Sequence, residues 1–229
     1  MLIEKRKYPW VGEQTWEDIL FLHWKIRPES IRPFVPASLE IDTFDGDAWV
    51  SAVTFQVKNS IVRGMPKRTS FPALTQINLR TYVRHPEKYE RGVYFFSIRI
   101  DSLFAALGAR IFYGLPFLHA DNEFQKNGAS IKVNAFASGS RLFSVTYKQR
   151  ENHGRRELAS FLTERYCIWN EHRNRIIKIP IRHKHWKLYE ADVSLNENKL
   201  FPFEYPVSED FIAHYSPFQH AMLYPYEST

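Results

Sequence analysis

From Trp16 onward the chain alternates. Trp16 to Ile26 sets Ile19, Phe21 and His23 on one side and Leu20, Leu22, Trp24 and Ile26 on the other, the two-residue period of a strand packed on both faces. His23 thereby shares a side with apolar residues. Pro28 to Phe34 predicts a short helix, because Pro28 has the fixed φ of a first helical position, Glu29 lies at the positive helix end and Pro36 stops it. Leu39 to Phe44 and Ala48 to Val57 flank Asp45-Gly46, the clearest hairpin signal in the chain. Ser60 to Pro72, with Gly64, Pro66 and Pro72, reads as a long loop at a barrel mouth. Strands follow over Thr75 to Arg84 and Gly92 to Asp101, then a helix over Leu103 to Tyr113 ended by Gly114 and Pro116. Ser130 to Ala137 and Leu142 to Gln149 form a hairpin around Ser138-Gly139-Ser140. A helix over Glu157 to Thr163 leads into strands at Arg165 to Asn170, Ile176 to His183 and Lys187 to Val193, before a proline-broken tail from Phe201.

Many strands, few helices and no regular strand-helix-strand alternation place the chain in the mainly β (α+β) class, as an antiparallel barrel or sandwich. The length suits one domain over residues 1–229, with an N-terminal arm over 1–14 and a Pro-rich tail over 201–229 packed on or near it.

Composition narrows the function classes. Aromatic residues make up 16% of the chain, which suits strands and aromatic-lined cavities. The formal charge of +6 is spread along the sequence, with mild clusters at Lys148 to Arg156 and Arg173 to Lys187. Spread charge of this kind is solvated loop and edge-strand charge, so a nucleic-acid partner stacking on Trp169, Trp186 and Tyr189 is a weak third choice. Cys167 is the only cysteine, so neither an internal disulfide nor a cysteine-rich metal cage is available, and a reducing, cytoplasmic address is expected. Neither a signal peptide nor a membrane span is legible. No G-x-S-x-G, Walker A or G-x-G-x-x-G string occurs, which removes the support for a serine hydrolase, a P-loop nucleotide binder or a Rossmann dehydrogenase.

Three constellations could carry chemistry. Gln76, Asn78, Arg80, Tyr82 and Arg84 line one face of their strand, opposite Ile77, Leu79, Thr81 and Val83. If that face looks into a barrel, Arg80 offers a forked cation for a carboxylate or phosphate; the plainer reading turns it to solvent. His183 and His185 share a strand face and could hold a metal with a third ligand such as His23, or simply belong to a basic turn. His23 is a core histidine before it is a catalyst, and Glu164-Arg165 is a local ion pair before it is an acid and base.

The strings WEDILFLHW (Trp16 to Trp24), LEIDTFDGDAWV (Leu39 to Val50), NLRTYV (Asn78 to Val83), GVYFFS (Gly92 to Ser97), ARIFYGLP (Ala109 to Pro116) and LTERY (Leu162 to Tyr166) together resemble the uncharacterised YqjF-like family, a branch of the acetoacetate-decarboxylase-like superfamily. The resemblance runs in order from about Trp10 to about Trp186. It implies a cone-like antiparallel β-barrel with a few flanking helices and a central cavity, and it makes a homo-oligomer reasonable. In the superfamily's enzymes a buried lysine forms a Schiff base with a β-keto acid. The matching stretch here, Leu115-Pro116-Phe117-Leu118-His119, holds no lysine, and the next one, Lys126, lies beside Asn127-Gly128, where a solvated amine is expected. Gln76 stands where the family pattern implies a glutamate, and it cannot act as a base. Arg80, Tyr82, His23, Arg110, Glu164 and Arg165 match the family strings, without established roles.

The resulting expectation is a cavity for a small anionic or carbonyl-bearing metabolite, walled by Arg80, Asn78, Gln76, Tyr82, Arg110 and His119, with no cofactor. His23, Tyr82 and Glu164 are the candidates for acid/base or lyase-like work without a lysine imine. The alternative is a non-catalytic ligand sensor or scaffold, with a metal-dependent enzyme at His183 and His185 behind both.

Overall fold

A computed structural model describes residues 9–64, 72–103, 106–107, 110, 114–151, 156–172, 175–203 and 210–228. The chain runs β1 (Gly12–Ile26), α1 (Pro28–Ile31), a 3-10 turn (Arg32–Phe34), β2 (Glu40–Ile41), β3 (Ala48–Val62), β4 (Leu74–Arg84), β5 (Arg91–Ile100), β6 (Phe117–His119), β7 (Asp121–Asn127), β8 (Ser130–Ala137) and β9 (Ser140–Gln149). It continues with α2 (Arg156–Thr163), β10 (Cys167–His172), β11 (Arg175–His183), β12 (Tyr189–Asn198), β13 (Ile212–Leu223) and β14 (Glu227–Ser228).

Strand pairing runs β11-β10-β5-β4-β3-β1-β13, and β13 pairs back onto β11 through Ile181 opposite Leu223 and His183 opposite Ala221. Those strands form a closed ring, which leaves few open ladder edges. The pairing continues from β13 through β12, β9, β8 and β7, and this second layer folds back on the ring. Ile131, Val133, Phe143 and Val145 from it pack on Leu20, Leu22, Ala52, Ile77 and Leu79, the outward side of β1, β3 and β4. Each such buried aliphatic side chain stabilises by roughly 1.5–3 kcal/mol. The other side of the same strands faces the lumen, so β1, β3 and β4 are buried on both faces.

The expected mainly β class is observed, with three departures in detail. First, Asp45-Gly46 does make a tight turn, with φ of 52° and 85°, but it closes a single bridge from Phe44 to Asp47. β2 pairs with β4 instead of β3. Second, the tail over 201–229 contains β13, a full wall of the ring. Pro217 hid it, because proline cannot donate to a ladder. The strand tolerates Pro217 because it lies opposite Asp18, between the pairs Glu17–Phe218 and Ile19–Ser216, where β1 carries a bulge. Asp18 and Ile19 together face Phe55, and Asp18 takes a φ of 53°. The bulge also resets the alternation, turning Trp16 to the same side as Ile19, Phe21 and His23. Third, β5 meets β10 in a parallel contact at Val93 and Ile168, within an otherwise antiparallel ring.

Gly92 permits that contact. A Cβ there would stand 2.7 Å from the Cys167 carbonyl oxygen and 2.8 Å from its sulfur. Of the expected helix over 103–113, Leu103, Ala106, Leu107 and Arg110 are described and helical, and the rest lies outside the described residues, as do 1–8 of the arm and 65–71 of the long loop. Among the described residues no helix is long and apolar enough to cross a membrane.

Candidate functional site

The ring encloses a cavity of about 200 Å³. Register sets its layers. At one end Val57 of β3 faces Trp16 and Leu74; below it Phe55 faces Gln76, Val53 faces Phe21 and Asn78, and Ser51 faces His23 and Arg80. Gln14, Trp16, Leu74, Phe117 and Trp186 at the first end are half-buried, whereas His23, Ser51 and Tyr82 at the other are fully buried. Arg80, itself half-buried, lines the cavity at the Ser51 layer, toward the buried end, or floor, and the Gln76, Asn78 and Arg80 side chains of β4 look inward.

Helix α2 closes that floor. The last carbonyls of a helix have no partner within it. Here the Phe161 oxygen accepts from Arg165 Nε at 2.7 Å, and the Thr163 oxygen accepts from Trp186 Nε1 at 2.9 Å. The Leu162 oxygen accepts both Tyr82 OH at 2.8 Å and Arg80 Nη2 at 3.1 Å. The negative end of the helix thus fastens two guanidinium groups, a phenol and the tryptophan at the mouth.

Tyr82 begins a hydrogen-bond chain whose direction is fixed. Its one proton goes to the Leu162 oxygen, so the 2.6 Å contact with Ser51 must be donated by Ser51 Oγ. Ser51 Oγ then accepts from His23 Nδ1 at 2.6 Å. The neutral His23 ring therefore carries its lone pair on Nε2, which is buried with no hydrogen-bond partner among the described residues. Burial first, then His214 and Arg80 nearby, hold the His23 pKa well below that of an ordinary histidine. Phe21 stacks on the ring with centroids 5.9 Å apart and stands between it and the cavity.

The two floor cations differ. Arg165 Nη1 meets Asp42 at 2.6 Å in a pair whose side chains are 3% and 4% exposed, and Arg91 approaches the same carboxylate at 3.6 Å. Burial lowers the Arg165 pKa against the opposing pull of Asp42. Arg80 lines the cavity, lies 5.8 Å from the ring centroids of both Phe21 and Tyr82, and has no carboxylate within ion-pair distance among the described residues. Its Nε is buried and unpartnered there. Above it, Gln76 Nε2 donates to Asn78 Oδ1 at 2.8 Å.

The remaining sequence candidates are dispersed. Glu164 does not pair with Arg165: its Oε1 accepts the Trp186 backbone N–H at 3.0 Å and its Oε2 accepts Tyr166 OH, which latches the 184–188 segment over the mouth. His183 lines the cavity with its two ring nitrogens facing the carbonyls of Lys184 at 2.8 Å and Arg165 at 3.1 Å. Burial lowers its pKa against the pull of those oxygens. His185 is 77% exposed beside Glu164, and no group of three His, Cys, Asp or Glu side chains is arranged for a metal among the described residues. Arg110 and His119 are exposed and do not line the cavity. Lys126 sits on β7, where its amine meets both Asp18 oxygens at 2.8 Å, so it is an ion-paired residue and not a free amine in a turn. Trp16 and Asp42 were not singled out from sequence, and Trp186 only as a stacking residue for nucleic acid. Only the aromatic content and the YqjF-like strings containing Trp16 and Asp42 hinted at them.

The fold recurs in solved structures at low identity. Acetoacetate decarboxylase from Legionella pneumophila superposes with a TM-score of 0.65 at 14% identity, over 98% of this chain and 89% of that one. An acetoacetate decarboxylase-like enzyme from Sphingomonas wittichii RW1 gives 0.64 at 12%, over 100% and 97%. The enduracididine biosynthesis enzyme MppR complexed with pyruvate gives 0.63 at 10%, over 98% and 93%. At these identities the likeness concerns the fold. In sequence, the uncharacterized protein YqjF of Bacillus subtilis (strain 168) is 34% identical over 228 residues, covering 94% of this chain and 91% of the relative. Residues 13–220 match DUF2071, described as an uncharacterized conserved protein family, and the chain belongs to that YqjF-containing family, with an acetoacetate-decarboxylase-like fold.

Proposed function

We propose that the barrel cavity binds a small anionic or carbonyl-bearing molecule and that Arg80 is its anchor. The observation that carries this reading is the guanidinium on the cavity wall, positioned by a backbone carbonyl and lacking a carboxylate partner among the described residues. A half-buried cation of this kind is stabilised by an incoming anion, and a bidentate guanidinium–carboxylate pair is among the stronger polar contacts. The fold neighbour described as complexed with pyruvate supports the reading as a protein of similar fold that binds a small carbonyl-bearing anion. No lysine is among the described lining residues, which favours non-covalent binding over imine chemistry.

Two outcomes of binding fit this site. In one, the protein is a ligand sensor or scaffold. In the other, it carries out acid/base chemistry without a lysine imine, and the lone pair of His23 Nε2 supplies the base once Phe21 moves aside. A thermal-shift screen of keto acids, simple carboxylates and sugar phosphates on the wild type and Arg80→Ala tests the shared premise. A ligand-induced rise in Tm that disappears in the variant supports the anchor, and equal rises in both proteins reject it.

A further inference from the structure

The chemistry of the wall narrows the ligand further. This step rests on the reading of Arg80 as an anion anchor. We infer that the molecule is an amphipathic monocarboxylate, a short alkyl or aryl-substituted carboxylic acid with its carboxylate on the floor and its hydrocarbon body toward the mouth.

Charge sets the first limit. Of the two guanidinium groups on the floor, Arg165 shares the Asp42 carboxylate with Arg91, whereas Arg80 has no carboxylate partner among the described residues, so Arg80 is the cation placed to take a carboxylate. A second carboxylate, or a dianionic phosphate, would have to compete with Asp42 for Arg165, the other guanidinium on the wall. No acidic side chain lies among the described lining residues, so an ammonium group on the ligand would go unpaired, which excludes amines and amino acids.

Above Arg80 the wall turns apolar. Phe21, Val53 and Ile98 make the next layer, and Ile19, Phe55 and Ile100 the one above it. Asn78 and Gln76 interrupt it only with neutral amides already bonded to each other. A ligand body there gains chiefly by shedding water. Size sets the last limit. A cavity of about 200 Å³ is small beside the ~300–1,000 Å³ of pockets that hold drug-sized ligands, which favours a short-chain acid over a long fatty acid.

Titration calorimetry with acetate, butyrate, hexanoate and 3-phenylpropanoate tests this, with succinate, inorganic phosphate and hexanamide as comparison ligands. Affinity is expected to rise about fourfold per methylene until the cavity fills. Hexanamide is expected to bind at least about tenfold more weakly than hexanoate, and succinate and phosphate not measurably. Asn78→Asp keeps the side-chain shape and sets a negative charge beside the site, so it should weaken hexanoate by about tenfold or more without unfolding the protein. If acetate, succinate and phosphate bind as tightly as hexanoate and lose affinity in Arg80→Gln, the ligand class is wrong while the anchor stands. If no carboxylate binds, or wild type and Arg80→Gln titrate alike, the anchor itself is overturned.

Discussion

Arg80 and Tyr82, neighbours on the lumen side of β4, converge on one acceptor, the carbonyl oxygen of Leu162, at 3.1 and 2.8 Å. That oxygen lies in the last turn of α2, where the helix offers carbonyls without internal partners. A carbonyl dipole orients a guanidinium without neutralising it. A carboxylate in the same place would have orientated Arg80 and cancelled its charge together. The arrangement explains how a cation persists on the floor of an apolar cavity and stays available to a ligand.

Tyr82→Phe removes the link between Leu162 and Ser51. The Ser51 hydroxyl loses its acceptor while remaining 0% exposed. A buried group left without a partner costs about 1–3 kcal/mol, and urea denaturation should show a loss of that size with an unchanged m-value.

Acid should destabilise the protein before it reaches the carboxylates. Burial depresses the pKa of His23, His183 and His214 below the ordinary value of 6.5. The unfolded chain takes up protons through that value while the folded chain does not, so the stability from neutral rings is full above it and falls as pH drops through it, levelling off only below the depressed folded values. Urea midpoints should therefore fall between about pH 7 and about pH 5. His23→Asn should make that decline shallower, and an unchanged slope would place the effect elsewhere.

The two charge pairs that flank the site should respond differently to truncation. Asp42→Ala strands Arg165 in a buried setting and should cost about 3–5 kcal/mol. Glu40→Ala breaks the half-exposed pair with Arg84, at 2.5 Å, and should cost less than about 1 kcal/mol. Chemical denaturation of both variants checks the ordering.

Gly92→Ala should destabilise by about 1–3 kcal/mol or more, since its Cβ would be forced against Cys167 and Trp169 where β10 meets β5. Thermal melts of the purified variant measure it.

Much of the ring was legible because its walls alternate: β4 and β5 were placed within a residue of their ends, whereas β1 begins at Gly12, inside the expected arm, and β3 runs on to Val62, into the expected loop. The inward turn of the Gln76 to Tyr82 row was not, since one strand's alternation distinguishes two faces without saying which is the lumen. β13 was missed because Pro217 mimics a break, and the Asp18 bulge that accommodates it lies about two hundred residues earlier in the chain. Arg80 was found by its residue type and position. Its controlling contact with Leu162, 82 positions away, has no sequence signature, because a backbone acceptor leaves no residue type to read. Glu164 was misread for a related reason: adjacency to Arg165 suggested a pair, but the chain sends Arg165 to Asp42 and Glu164 to the mouth.

The central claim is that Arg80 receives an anion, and its own guanidinium resonance tests this most directly. The Nε–H signal of Arg80 can be assigned in a ¹⁵N-labelled sample by its loss in Arg80→Gln, then followed as hexanoate is added. A saturable, selective shift of that signal, absent with hexanamide, is the predicted result; an unmoved Arg80 signal under conditions where hexanoate binds the protein would contradict the account.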